Sequence, residues 1–264
     1  MLLAVDIGNT NICFGIFSMS DGKLITSYRI ETNHAKTRDE YFIFLKMCLE
    51  NSSIYLKDID AVIYSSVVPQ VNFEFEKFCE KFLKIKPLSV AKNREALPIE
   101  VKIDKPEEAG ADRLVNSIAA YEIYGKRDMP MIIIDFGTAT TFDVIDREGA
   151  YLGGVICPGI ELSLSALQGK AAKLPRISIE KPSNSIGKDT KSAMQSGIYF
   201  GYIGMIERNV EEISKQLGED CYNIATGGLA SLFEESPKIN LIDKNLTLKG
   251  LQIIYRIYAE KFKT

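Results

Sequence analysis

Leu2-Leu3-Ala4-Val5-Asp6-Ile7-Gly8-Asn9-Thr10-Asn11 and Met131-Ile132-Ile133-Ile134-Asp135-Phe136-Gly137-Thr138 are the two stretches on which the fold turns. Each is a short apolar run of strand character that ends in an aspartate and breaks at a glycine. Two more runs follow each: NICFGIFS and KLITSYRI after the first, TTFDVID and AYLGGVICPG after the second. The later turns fall at Ser20-Asp21-Gly22 and Glu148-Gly149, residue types that suit tight reversals. The plan of strand, acid-glycine turn, strand, turn, strand therefore occurs twice. It predicts an α/β protein of two related lobes, each a β-sheet flanked by helices.

Working outward, helical spacing of apolar residues predicts helices over about 38–50, 71–83, 107–124, 159–169, 189–217 and 249–262. Apolar runs predict further strands over about 61–65, 87–90 and 221–225. The expected division is residues 1–110 for the N-terminal lobe and 111–264 for the C-terminal lobe.

The bulk composition excludes several classes. Hydrophobic residues make up 46% of the 264 and charged residues 25%, the balance of a packed globular chain. A net charge of −3 gives no general attraction to nucleic acid or to anionic lipid, so neither is expected as a partner. Cys13, Cys48, Cys79, Cys157 and Cys221 form no C-x-x-C pair and read as small buried hydrophobes of a reducing compartment. MLLAVDIG has no basic leader, and no apolar run reaches the length of a membrane span, so a cytoplasmic location is expected.

The turn Asp6-Ile7-Gly8-Asn9-Thr10-Asn11 offers backbone N–H groups with hydroxyl and amide side chains, a nest in which phosphate oxygens fit. An acid at its root can stand beside a hydrated cation. An acid-glycine turn alone is weak evidence, since many hairpins carry one. Two copies opening two lobes predict a nucleotide cleft gripped from both sides. Ala225-Thr226-Gly227-Gly228-Leu229-Ala230 follows a predicted strand, and its glycines allow backbone to approach a flat ligand such as adenine. No G-x-x-x-x-G-K-[ST] loop occurs, which excludes a P-loop NTPase.

The order DIGNTN from Asp6, GADRLVN from Gly110, IDFGTATTFDVI from Ile134, GGVICPG from Gly153, then KLP at Lys173, AMQSG at Ala193 and TGGLA at Thr226, resembles the type III pantothenate kinases from Asp6 to Ala230. The resemblance implies the two-lobed fold of the actin, ribonuclease-H, sugar-kinase and Hsp70 superfamily. It implies ATP-dependent phosphorylation of pantothenate, the first step of coenzyme A synthesis, by a homodimer that uses Mg²⁺-ATP and a monovalent cation, K⁺ or NH₄⁺.

Carried over residue by residue, the resemblance makes Asp6 to Cys13 the first nucleotide-phosphate loop, with Asp6, Gly8, Asn9, Thr10 and Asn11 as nucleotide contacts and Asp6 near Mg-ATP. It makes Gly110, Ala111, Asp112 and Arg113 the pantothenate turn, with Asp112 as proton acceptor. Asp135 becomes the monovalent-cation ligand, Thr138 an ATP contact and Thr190 a pantothenate contact. Gly227 and Gly228 are expected as nucleotide contacts from the close backbone approach that glycine allows, not from the resemblance. Ile103 departs from the family, which commonly has tyrosine three residues before Pro106.

Each assignment has a plainer alternative. Asp112-Arg113 reads equally as an exposed ion pair, Asp135 as an acid capping its own turn, and Asp189 or Thr190 as a helix cap. The cluster Lys170, Lys173, Arg176, Lys181, Lys188 and Lys191 reads as a solvated loop, and His34 as a surface residue. A rival function is that of a non-catalytic regulator, a transcription accessory protein of the same fold. A chaperone or filament protein is the second rival, and the chain looks too short for it.

Overall fold

Leu3, Val5 and Ile7 alternate with Leu2, Ala4 and Asp6 in β1 (Leu2–Ile7), and the apolar residues of both rows are buried. Covering on both faces is why the run is continuously apolar rather than alternating. The computed structural model describes residues 1–170 and 174–261. Packing divides the chain into two units, Met1–Glu100 with Lys105–Ile123 and everything from Leu246, and Val101–Asp104 with Tyr124–Asn245.

In the first unit β1 pairs antiparallel with β2 (Asn11–Phe17), and β2 with β3 (Leu24–Glu31). On the other side β1 pairs in parallel with β4 (Ala61–Ser66), which is followed by the two-residue β5 (Leu88–Ser89), giving the order β3-β2-β1-β4-β5. Leu3, Val5, Ile7 and Phe14 face α1 (Arg38–Glu50) and α2 (Pro69–Phe78), which supply Tyr41, Leu45, Val71 and Phe75. α1 starts at a capping box in which Thr37 accepts from the Glu40 N–H and Glu40 accepts from the Thr37 N–H.

Leu2, Ala4 and Ile63 face the opposite side, against Val115 and Ile118 of α3 (Ala111–Tyr124) and Leu248, Leu251 and Ile254 of the C-terminal helix Leu246–Lys261. α3 and the C-terminal helix approach closely at Gly250, where a Cβ would lie 2.5 Å from the Val115 carbonyl oxygen. The Thr247 hydroxyl also donates to Asn116 Oδ1 at 2.7 Å.

The second unit repeats this design. β6 (Met131–Phe136), β7 (Ala139–Ile145) and β8 (Tyr151–Pro158) form an antiparallel meander, and β9 (Tyr222–Gly227) and β10 (Leu241–Ile242) add in parallel, in the order β10-β9-β6-β7-β8. β1 and β6 share one residue-by-residue pattern of burial, and so do β2 and β7. Ile132, Ile134, Phe136 and Phe142 pack under α4 (Ile160–Lys170) and α5 (Thr190–Leu217) through Ile160, Tyr199, Tyr202 and Ile206. The C-terminal helix is α6.

Four differences from the sequence reading have physical causes. The units are not divided at residue 110: α3 and α6 lie with the first unit, because their apolar faces are buried against β1, β2 and β4. The helix expected from residue 107 begins at Ala111, after a 3₁₀ turn at Pro106–Glu108. The helix expected to reach residue 83 is α2 followed by a π turn, Cys79–Leu83, closed by Lys84 at φ 60°. α6 starts at Leu246, three residues earlier than its periodicity alone indicates. Lys173 and Phe262 lie outside the described residues.

Candidate active site

Period-two alternation places Asp6 on the face of β1 that Leu2 and Ala4 share, the side covered by α3 and α6. Asp6 pairs with Cys13 across the hairpin and with Ser65 on β4. Ser65 is buried, and its hydroxyl has no hydrogen-bond partner among the described residues. Beyond Asp6, the Gly8 N–H donates to the Asn11 carbonyl at 3.0 Å and closes the turn. Asn9 and Thr10 are exposed at its tip, while Asp6, Gly8 and Asn11 are half-buried. Thr32, just past β3 and part of no motif in the sequence, donates from its hydroxyl to the Gly8 carbonyl at 2.6 Å and from its N–H to the Thr10 carbonyl at 2.9 Å.

Gly110, Ala111, Asp112 and Arg113 form the start of α3, all half-buried. Asp112 Oδ1 folds back to accept from the Arg113 N–H at 2.9 Å. It lies so close to Gly110 that a Cβ there would stand 2.5 Å away, so a side chain at 110 would displace the Asp112 carboxylate. Arg94 gathers the chain just before it: its guanidinium donates to the carbonyls of Ala109 at 2.6 Å, Glu107 at 3.2 Å and Pro106. Because α3 covers the Leu2–Ala4 face, the Asp6 turn and the Asp112 turn belong to one side of the first sheet.

In the second unit Asp135 holds the position of Asp6, one residue before the end of β6, and pairs with Thr141 on β7 and Thr226 on β9. The turn Gly137-Thr138 is exposed. Gly227, at φ 92°, presses its backbone against Asp135, since a Cβ would lie 2.6 Å from Asp135 Oδ1 and 2.7 Å from the Phe136 nitrogen. Gly228 next to it is exposed. Asp143, two residues along β7 from Thr141 and so on the same face of the sheet as Asp135, is fully buried and accepts from Thr141 Oγ1 and the Tyr151 hydroxyl, each at 3.0 Å. The signal for it in the sequence was a lone acid inside the apolar run TTFDVI.

Thr190 is exposed in the first turn of α5, but the cap belongs to Asp189, whose carboxylate accepts from the Ser192 N–H at 2.9 Å. That bond and the Ser192 hydroxyl hold the Asp189 carboxyl below its ordinary range. Ile103 lies against β8, where a Cβ at Gly153 would come within 3.3 Å of it, and the neighbouring Lys102 N–H donates to the Tyr151 carbonyl at 2.8 Å. His34 is exposed. Burial raises the thiols of Cys48, Cys79, Cys157 and Cys221, which keeps them protonated and poorly nucleophilic. Among the described residues no group of three or more His, Cys, Asp or Glu could hold a metal ion, and no helix is long and apolar enough to cross a membrane.

A family model of the type III pantothenate kinases matches residues 2–212. A type III pantothenate kinase from Bacillus cytotoxicus is 47% identical over 256 residues, which cover 97% of this chain and 95% of that protein. The chain belongs to the type III pantothenate kinase family. It is a pantothenate kinase, and a purely regulatory role is not favoured. Solved structures share the kinase's fold at low identity. A conserved Campylobacter jejuni protein assigned to the Baf family of transcriptional activators has TM-score 0.59 at 18% identity, covering 99% of this chain and 100% of its own. The activator of 2-hydroxyisocaproyl-CoA dehydratase from Clostridium difficile, with bound ADPNP, has TM-score 0.56 at 10% identity, covering 100% of this chain and 97% of its own. At such identities the kinase shares with them its architecture of two mixed sheets flanked by helices, and nothing about chemistry follows from them.

Proposed function

We propose that pantothenate is phosphorylated at the first unit's Gly110–Arg113 turn, with Asp112 as proton acceptor and the Asp6–Asn11 turn as the seat of the ATP phosphates. The observation that carries this reading is that both turns belong to one side of one sheet, with Asp6 on the face that α3 covers. The primary hydroxyl oxygen of pantothenate attacks the γ-phosphorus as the bond to the ADP oxygen breaks. The hydroxyl proton passes to the Asp112 carboxylate and then to solvent. Arg113 pairs its planar fork with the pantothenate carboxylate.

The Asp6–Asn11 turn exposes a small-residue tip, and Asp6 at its root is suited to holding the waters of Mg²⁺, which neutralises phosphate charge when bound. In the second unit Asp135 is the residue proposed to hold K⁺ or NH₄⁺, whose charge its carboxylate would offset. Thr138, Gly227 and Gly228 are proposed nucleotide contacts, and Gly227 fits this role through the bare backbone it lays beside Asp135. A homodimer accords with the large apolar residues exposed on β8, α4 and α5, namely Ile156, Leu162, Leu167 and Phe200. Five free cysteines accord with a reducing cytoplasm.

Pantothenate-dependent ADP release, measured in potassium and in sodium for the parent, Asp112→Asn and Asp135→Asn, tests the reading. Asp112→Asn keeps ATP affinity and loses about 10² to 10⁴ in kcat. Asp135→Asn loses the preference for potassium. An Asp112→Asn enzyme of parental kcat would move the base elsewhere.

A further inference from the structure

Thr32 and Gly159 occupy corresponding places in the two units, and they treat the turns beside them differently. Glu31 and Pro158 each pair with the first residue of the middle strand, Asn11 and Ala139. The next residue then turns its N–H back to the hairpin: Thr32 to the Thr10 carbonyl at 2.9 Å, and Gly159 to the Thr138 carbonyl at 3.1 Å. In each turn the N–H of the glycine closes the loop, from Gly8 to Asn11 and from Gly137 to Ala139, the first loop being one residue longer than the second. Only the first has a side chain at the returning position. The Thr32 hydroxyl takes the Gly8 carbonyl at 2.6 Å, whereas a Cβ at Gly159 would collide with the Thr138 and Gly137 oxygens at 2.2 and 2.6 Å.

A turn that accepts an anion must keep the negative ends of its peptide dipoles away from the ligand and present N–H groups to it. In the first turn the carbonyls of Gly8, Thr10 and Asn11 all accept hydrogen bonds from protein, two of them from Thr32. We infer that Thr32 is a positioning residue for nucleotide binding: it holds the Gly8 and Thr10 peptides so that this turn receives phosphate. In the second turn Gly159 leaves the Gly137 carbonyl without such a hydroxyl. The inference rests on the reading of Asp6–Asn11 as the phosphate turn.

Thr32→Val keeps the shape and the backbone bond and removes the hydroxyl, while Thr32→Ser returns it. Both are compared with Gly8→Ala, which crowds the Asn11 carbonyl at 3.1 Å, by steady-state kinetics and by calorimetric titration of a non-hydrolysable ATP analogue into the full chain. The expected result for Thr32→Val is an ATP KM and analogue Kd about tenfold higher, the worth of one well-made hydrogen bond. Its pantothenate KM stays within twofold of the parent, and Thr32→Ser recovers most of the loss. Parental nucleotide affinity in Thr32→Val, with weakened affinity in Gly8→Ala, overturns the role of Thr32 and leaves the phosphate turn standing. Parental affinity in both removes the phosphate turn and the inference with it. Equal losses for ATP and pantothenate, unrelieved by serine, reduce Thr32 to a folding residue and also overturn it. Should Thr32→Val not fold, Thr32→Cys, of similar size with a weak donor, must show the same selective loss for the nucleotide.

Discussion

Gly227 illustrates how much one absent methyl group can carry. Its φ of 92° lies in the left-handed region, and a Cβ would meet Asp135 Oδ1 at 2.6 Å and Phe136 backbone at 2.7 Å. Gly227→Ala therefore combines backbone strain with a collision against the carboxylate proposed to hold the cation. The expected cost is about 1–3 kcal/mol of stability, read as a lowered Tm, together with a raised ATP KM. Gly137→Ala is the control, since its Cβ would find only ordinary contact, 3.4 Å from the Ala139 carbonyl, and its Tm should stay near the parent's. At this scale the sequence was partly legible. Glycines in acid-glycine turns announce themselves, whereas the Thr32 hydroxyl and the Asp143 network depend on strand register across the sheet, which no local pattern encodes.

Among the elements, α5 has the most explicit start. Asp189 caps it through Ser192, and those bonds depress the Asp189 pKa below its ordinary 3.8. A depressed carboxylate contributes stability that is present above the ordinary value and disappears as pH falls through the lower, folded one. Asp189→Ala should therefore melt below the parent at neutral pH. The gap should close as the buffer is taken below pH 3.8, and thermal melts across that range would check it. A gap that persists in acid would assign the stabilisation to something other than the charged cap. α5 and α1 were legible because caps and amphipathic spacing are local. The π turn after α2 and the two-residue β10 were not, since one is settled by packing and the other by pairing with β9.

If Thr190 serves the pantothenate of a partner subunit while Asp112 serves its own, two inactive variants complement one another. Mixing Asp112→Asn with Thr190→Val, with subunit exchange shown by differently tagged chains, should restore up to about one intact site in each heterodimer. No recovery after proven exchange would place both residues in one chain's site. The twofold repeat of the sheets was legible because hairpin alternation and turn chemistry recur in both halves. The membership of α6 was not, because helical periodicity shows that a helix has an apolar face and says nothing of which sheet receives it.

That membership bears on how the molecule is made. β1, β2 and β4 emerge early in synthesis, yet the face formed by Leu2, Ala4 and Ile63 is covered in part by Leu248, Leu251 and Ile254 from near the chain's other end. Apart from Val101–Asp104, the second unit is one uninterrupted stretch, Tyr124–Asn245, and it can close while α6 is still unmade. Until then the part of that face which α3 does not cover lacks its apolar partner, the kind of surface that chaperones bind and that aggregates form from. In the growing chain, the sheet begun first is the sheet completed last.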